Sequence, residues 1–371
     1  MFTSEPSLAQ RIERMIGDVA IVDTRSHLDV RALGATDLAA LMAEPPLRIV
    51  LEGVGMPAGM LDATRSVEER VVAALPYLRQ VRTTAAGWCL FRIFRDLYDF
   101  DEPHLTLANV GGLMDRVARA AVDPGWASSV IRERARVGLV ITPAPADPVA
   151  APDLDFVAHR LEVTPAGSGT EPAELIRTQV FEQLDQQING KVRFVSCAGP
   201  LQVDNPVHAA VLRWHHLHQW PIQILLDSPD AGPVVEAIET YPGARFGLMA
   251  SVAARAETGF NVASLAGHHP NVFAEGFAGS GARPSRWAAH LLDRIEQAGM
   301  TKVGGFGSGA ATAEWLYGTL QATRKATAAA LAQAVANGFF EEDEVPPLLQ
   351  SIFASAPTAW YRLAEGRAGR V

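Results

Sequence analysis

The chain has 371 residues, 48% hydrophobic and 20% charged, with a formal net charge of −9. That length and apolar content exclude a disordered or low-complexity chain and allow a large core without staples, while the negative balance argues against a nucleic-acid or anionic-membrane surface. Two cysteines, Cys89 and Cys197, make neither a disulfide framework nor a CxxC zinc pattern, and the opening MFTSEPSLAQRIERMIGD has no apolar signal core, so a globular, cytoplasmic protein with neither a nucleic-acid nor a membrane partner is expected.

Ser7 is placed to cap a first helix whose Leu8, Ile12, Met15 and Ile16 share one face, stopped at Gly17 and Asp18. A strand-length apolar run follows, Val19 to Asp23, emptying into the polar cluster Thr24-Arg25-Ser26-His27-Leu28-Asp29. From about 35 to 135 the patterning is helical, punctuated by Pro45, Pro46, Pro57 and Pro103. After it the chain alternates. Strand-like runs fall at 137–142, 155–157, 192–196, 222–226, 245–249, 271–275 and 302–306, most of them separated by helical stretches such as ELIRTQVFEQLDQQI and PSRWAAHLLDRIEQA. With the first run this makes eight apolar strands. Repeated strand–helix units of this kind specify a parallel sheet, and eight of them a closed (β/α)8 barrel in which the whole chain, 1–371, is one domain. The 35–135 helices are then an insertion after strand 1, and the chain from about 312 a helical tail. An open doubly wound sheet competes, but no glycine-rich dinucleotide turn follows the first strand.

A barrel carries its chemistry at the C-terminal ends of its strands. There the sequence places Asp23, Arg25, His27 and Asp29 after strand 1, Asp227 and Ser228 after strand 5, Ser251 after strand 6, Glu275 in strand 7, and Ser308 with Gly309 after strand 8. A metal needs several His, Asp or Glu donors converging on one point, and these ends supply one histidine. The histidine-rich run Arg213–Trp220 leads into strand 5 from the opposite end, where a solvated helix terminus with Trp214 packed inward explains it; His268 and His269, just before strand 7, read the same way. Cys197 follows strand 4 with no histidine beside it, and reads as a small apolar residue.

IVDTRSHLDV at 21–30 resembles the opening strand of the amidohydrolase superfamily, whose usual form is Asp-x-His-x-His. The stretches at 75–100 and 123–143, GFGSGAATAEWLYGTLQATR at 305–324 and the late run at 339–363 resemble its uronate-isomerase-like branch. The resemblance implies a distorted (β/α)8 barrel, carboxylate-bearing substrates and association through the helical insertion. It also implies five metal-site positions, which fall here on Arg25, His27, Leu225, Ala250 and Gly309, so only His27 keeps the family's residue type.

A guanidinium is permanently protonated and has no lone pair to give a metal, and at about 4 Å it would repel a divalent cation by roughly 8 kcal/mol at an effective dielectric near 20. The absent strand 8 aspartate is the group that in this family orients or deprotonates the attacking water. The expectation is therefore a barrel without resident metal, a non-hydrolytic pseudoenzyme serving as a binding, regulatory or scaffold subunit, either as a homo-oligomer or beside an active paralogue. Arg25 either holds a small carboxylate or sugar acid, with Ser308, Asp227 and Glu275 lining the same site, or pairs with Asp23, Asp227 or Glu275 to fill a vacated space. A second reading makes the chain a metal-independent lyase, isomerase or decarboxylase with Arg25 holding the carboxylate and His27 as acid or base. A third retains zinc or manganese on rearranged ligands His27, Asp227 and Glu275.

Overall fold

Seven strands, β1 (Ile21–Asp23), β2 (Val137–Pro143), β3 (Val157–Val163), β4 (Val192–Ala198), β5 (Pro221–Leu226), β6 (Arg245–Ala250) and β7 (Val272–Ala274), pair in parallel with the spatial order of the sequence. The computed structural model describes residues 6–147, 154–163, 173–188, 192–199, 201–251, 256–276 and 283–364. Parallel neighbours need long crossovers, and helices supply them: α8 (Ala173–Gln187), α9 (Pro206–His218), α10 (Gly232–Thr240) and α11 (Ala256–His268) precede β4, β5, β6 and β7 in turn, and α12 (Pro284–Ala298) follows β7. The outward residues Val195, Cys197, Ile222, Ile224, Phe246, Leu248 and Val272 are buried in one cluster with Val211, Leu212, Val234, Ile238 and Val262 of those helices.

Between β1 and β2 stand α2 (Leu38–Ala43), α3 (Pro45–Gly53), α4 (Val67–Val81), α5 (Ala85–Tyr98), α6 (Val110–Ala121) and α7 (Trp126–Ser129). Their apolar faces join α1 (Leu8–Asp18) and the 24-residue α13 (Ala313–Ala336) in the largest core cluster. The first helix forms where its pattern places it, with Ser7 and Gln10 in a reciprocal capping box and Ile12 and Ile16 buried. No helix among the described residues is long and apolar enough to cross a membrane.

Two strands differ from their sequence patterns. The third runs to Val163, well beyond the strand-like run at 155–157, because a barrel strand needs apolar side chains only on its outward face; Leu161 and Val163 pack against the helices while Arg160 and Glu162 point the other way. The eighth run does not form a regular strand. Met300–Lys302 is a 3-10 turn, and Val303 makes one isolated parallel bridge to Ala274. Even so, the Gly304 N–H donates to the Ala274 carbonyl at 2.8 Å and the Thr24 N–H to the Phe306 carbonyl at 3.2 Å, so 303–306 bonds to both edges of the curled sheet. The Gly305 N–H leaves the ladder for the Ile352 carbonyl at 2.7 Å, and a Cβ at Gly305 would stand 2.8 Å from the Phe353 ring, so the tail's close approach explains the irregularity.

That tail continues through α14 (Val345–Gln350), a π turn at Ser351–Ser355 and α15 (Ala356–Trp360). Ala356, Trp360, Tyr361 and Leu363 pack on Val22, Ile141, Ala158, Phe194 and Phe273, inward residues of the strands. The base of the barrel is therefore plugged by chain from its own C-terminal end, which leaves the strands' C-terminal ends as the mouth.

Candidate functional site in the barrel mouth

Two residues further along β1, β3, β4 and β7, on the same inward face, the apolar layer of Val22, Ala158, Phe194 and Phe273 gives way to Thr24, Arg160, Ser196 and Glu275, all buried. Gln223 of β5 completes this polar layer, and Arg25 enters it from the chain just past β1.

Glu275 sits deepest. Its Oε2 lies 2.7 Å from the Thr24 hydroxyl, the Gln223 side-chain amide donates to Oε1 at 3.3 Å, and the Tyr361 hydroxyl, rising from the base plug, donates to the same oxygen. Burial raises the Glu275 carboxyl above its ordinary range against those hydrogen bonds, and burial together with the Glu275 charge drives the Tyr361 phenol well up. Asp23 stands beside this network. Its Oδ1 accepts the N–H groups of Arg25 (3.1 Å) and Ser308 (2.9 Å), tying the end of β1 to the loop at 308, while its buried Oδ2 has no hydrogen-bond partner among the described residues. Burial pushes this carboxyl up to about 6, with the bonds from Ser308 and Arg25 opposing.

Arg25 donates through Nη1 to Ser196 Oγ and Gln223 Oε1, both at 2.7 Å, and its Nη2 lies 3.8 Å from Glu162 Oε1. Arg160 has no exposed surface. Its Nη1 donates to the carbonyls of Ser26 (2.7 Å) and Ile141 (3.0 Å), and its Nη2 and Nε to Glu162 Oε1 at 2.8 and 3.2 Å. Burial lowers both guanidiniums, Arg160 to about 10 with the Arg25 charge adding to the effect and Glu162 opposing it. Both remain cationic at neutral pH. For Glu162, burial is outweighed by the Arg160 charge and hydrogen bond, which hold the carboxyl below its ordinary range. His27 is exposed at the rim with Nδ1 3.4 Å from Arg160 Nη2; partial desolvation of the ring, then the Arg160 and Arg25 charges, lower it to about 4. The imidazole is neutral at physiological pH.

The structure thus brings Arg25 and His27 together at the mouth and separates the other candidates. Asp227 is exposed past β5, shares no hydrogen bond or ion pair with Arg25 or Glu275, and so does not line one site with the buried Glu275. Glu275 is enclosed by Thr24, Gln223 and Tyr361 and does not line an open site. Ser308 acts on Asp23 through its N–H, and its Oγ accepts from the Ala310 N–H at 3.2 Å. None of Asp23, Asp227 or Glu275 is the side-chain partner of Arg25; Ser196, Gln223 and the neighbouring Glu162 take that place. Cys197 faces outward into the helix-covered core, where burial pushes its thiol up to about 12. In α9, His215 is buried with Nδ1 3.2 Å from the Trp220 carbonyl, and His218 stacks on Trp214.

Arg160, Glu162, Ser196, Gln223 and Tyr361 join this candidate site without being marked by a local sequence motif. The alternation Val157-x-x-x-Leu161-x-Val163 was the available signal for the first two. Nothing local marks Tyr361, which becomes a barrel residue only because the tail folds back.

No protein-family model and no curated protein sequence matches the chain. Solved structures do match in fold. A uronate isomerase from Thermotoga maritima aligns with a TM-score of 0.76 at 10% identity, covering 97% of this chain and 100% of that one. Glucuronate isomerase from Caulobacter crescentus aligns at 0.74 and 15%, covering 98% and 96%, and a uronate isomerase from Bacillus halodurans at 0.73 and 12%, covering 96% of each. The chain therefore has the fold of the uronate isomerases over nearly its whole length, as the resemblance at 21–30 and 305–324 implied.

The residues present do not fit a divalent metal at the positions that resemblance implies. Arg25 is a donor only, Leu225 and Ala250 carry no ligating atom, and Gly309, at φ +62°, donates its N–H to the Arg25 carbonyl at 2.8 Å. Ala250 moreover belongs to the outer core with Trp287 and Leu291, while Gly247 points inward at Tyr361, so Met249 and not Ala250 shares the inward side of β6. Among the described residues no group of three or more His, Cys, Asp or Glu side chains is placed to hold a metal ion. The rearranged set of His27, Asp227 and Glu275 is split between rim, exposed loop and enclosed interior.

Proposed function

We propose that this barrel binds a small carboxylate or sugar acid at its mouth through Arg25 and Arg160, and serves as a non-hydrolytic binding, regulatory or scaffold protein. The observation carrying this reading is Arg25 itself. A buried guanidinium, fixed by Ser196 and Gln223, stands on the strand end where the amidohydrolase pattern has a metal-binding histidine. A fixed cation of this kind attracts an anion and repels a second cation, and a planar fork matches a carboxylate. The isomerase fold is consistent with a sugar-acid ligand. Homo-oligomerisation or pairing with an active paralogue, and residence in the cytoplasm, belong to the same reading.

Isothermal titration with D-glucuronate, D-galacturonate and acetate tests it. Saturable binding is expected, with loss in Arg25→Ala. Elemental analysis of the purified protein should find zinc and manganese well below one ion per chain; about one tightly held divalent ion per chain would overturn the reading.

A second reading is favoured by His27, a neutral imidazole exposed beside the arginines. In it the chain is a metal-independent lyase, isomerase or decarboxylase, with His27 moving a proton on a carboxylate held by Arg25. Turnover of a uronate that is lost in His27→Ala while binding persists would favour this reading over a purely binding role.

A further inference from the structure

Each mouth arginine has one nitrogen fixed by buried acceptors: Nη1 of Arg25 by Ser196 and Gln223, and Nη1 of Arg160 by the carbonyls of Ser26 and Ile141. Those bonds set both guanidinium planes. The remaining Nη2 groups then converge on one point, and a single atom occupies it: Glu162 Oε1, 2.8 Å from Arg160 Nη2 and 3.8 Å from Arg25 Nη2. The occupant differs in kind from its hosts. The side chain of Arg160 has no exposed surface and that of Arg25 7%, whereas that of Glu162 is 44% exposed. Among the described residues its carboxylate bonds to Arg160 and lies near Arg25, so rotation about its side-chain torsions carries it into solvent without breaking any other side-chain hydrogen bond of the barrel.

We propose that Glu162 is a built-in surrogate ligand: its carboxylate fills a carboxylate-binding site between Arg25 and Arg160, and an incoming organic carboxylate displaces it. The proposal rests on the carboxylate-binding reading and adds the residue that occupies the site when no ligand is bound. Arg–carboxylate recognition is favoured by paired N–H donors, and a carboxylate carried on the same chain competes at high effective concentration. The measured affinity is the intrinsic one reduced by the fraction of molecules in which Glu162 has moved out. Ligands with one accessible carboxylate are the class this exchange selects, since the leaving and entering groups have the same shape and charge.

The test compares wild type with Glu162→Ala and the near-isosteric Glu162→Gln, titrated with acetate and with D-glucuronate at fixed ionic strength. Folding of each variant is checked by thermal unfolding. Both variants are expected to bind more tightly, by about tenfold if the surrogate holds the site closed nine-tenths of the time. In wild type the Glu162 carboxyl, followed by carbon-13 NMR, should return towards an ordinary glutamate titration when ligand is bound. Saturable wild-type binding with unchanged or weaker affinity in both variants overturns the surrogate role and leaves the binding reading standing. Absence of binding to wild type and to both variants overturns both.

Discussion

The Tyr361 hydroxyl donates a hydrogen bond to the Glu275 carboxylate, 86 positions away in the chain. Through it the C-terminal plug at the base of the barrel touches the polar layer beneath the mouth: Glu275 in turn accepts from Gln223, and Gln223 accepts from Arg25. The orientation of the mouth arginine is thereby linked to the seating of the tail.

Removing the hydroxyl tests that link. Tyr361→Phe leaves a buried carboxylate oxygen with one weaker partner, and should destabilise the protein by about 1–3 kcal/mol in urea unfolding. The same atom blocks any side chain at Gly247, because a Cβ there would overlap the Tyr361 hydroxyl. Gly247→Ala should cost about 1–3 kcal/mol in wild type and clearly less on a Tyr361→Phe background. Additive losses in that double-mutant cycle would show that the two positions do not meet.

Asp23 sets a pH dependence of opposite sign to that of an ordinary paired carboxylate. Its folded value is raised from 3.8 to about 6 by burial, so between these values the folded protein holds a proton that the unfolded chain has lost. Its stabilising contribution is complete below the unfolded value and disappears as pH rises through the folded one. Over that window the change is about 3 kcal/mol, from 1.36 kcal/mol per pKa unit. Asp23→Asn, whose Oδ1 can still accept from Arg25 and Ser308, should remove this slope from the pH profile of the urea midpoint. An unchanged slope in the variant would assign it to other groups.

The His27 imidazole, lowered to about 4 by partial desolvation and the two arginines, should show no titration by proton NMR between about pH 5 and 8, where an unperturbed histidine changes charge. A midpoint near the ordinary value would mean that Arg160 does not lie beside it. In Arg160→Met the midpoint should rise.

Both cysteines are buried, with thiols raised to about 12. Ellman's reagent should therefore label neither in the native protein and both in denaturant. Rapid native labelling of Cys197 would place it at the mouth.

Much of the architecture is legible in local pattern. Ser7 and the Ile12/Ile16 stripe announce the first helix, and the apolar runs at 137–142, 192–196, 222–226 and 245–249 each seed a strand. That Arg25, where the amidohydrolase pattern would have a histidine, cannot hold a metal is likewise a property of the sequence alone, because a guanidinium cannot ligate a cation in any fold.

What lies around Arg25 was decided by tertiary structure. Ser196 and Gln223 are 171 and 198 positions from it, and no periodicity of 2 or 3.6 residues relates positions so far apart. Strand alternation says which side chains share a face, but only the curling of the sheet decides which strand ends meet, and that brought Arg160 and Glu162 of β3 to Arg25 while leaving Asp227 in solvent. The eighth run shows the same limit. Its residues had strand composition, yet the tail packed against Gly305 took the N–H that a regular ladder would have used, because backbone groups bond to the partner the whole fold presents.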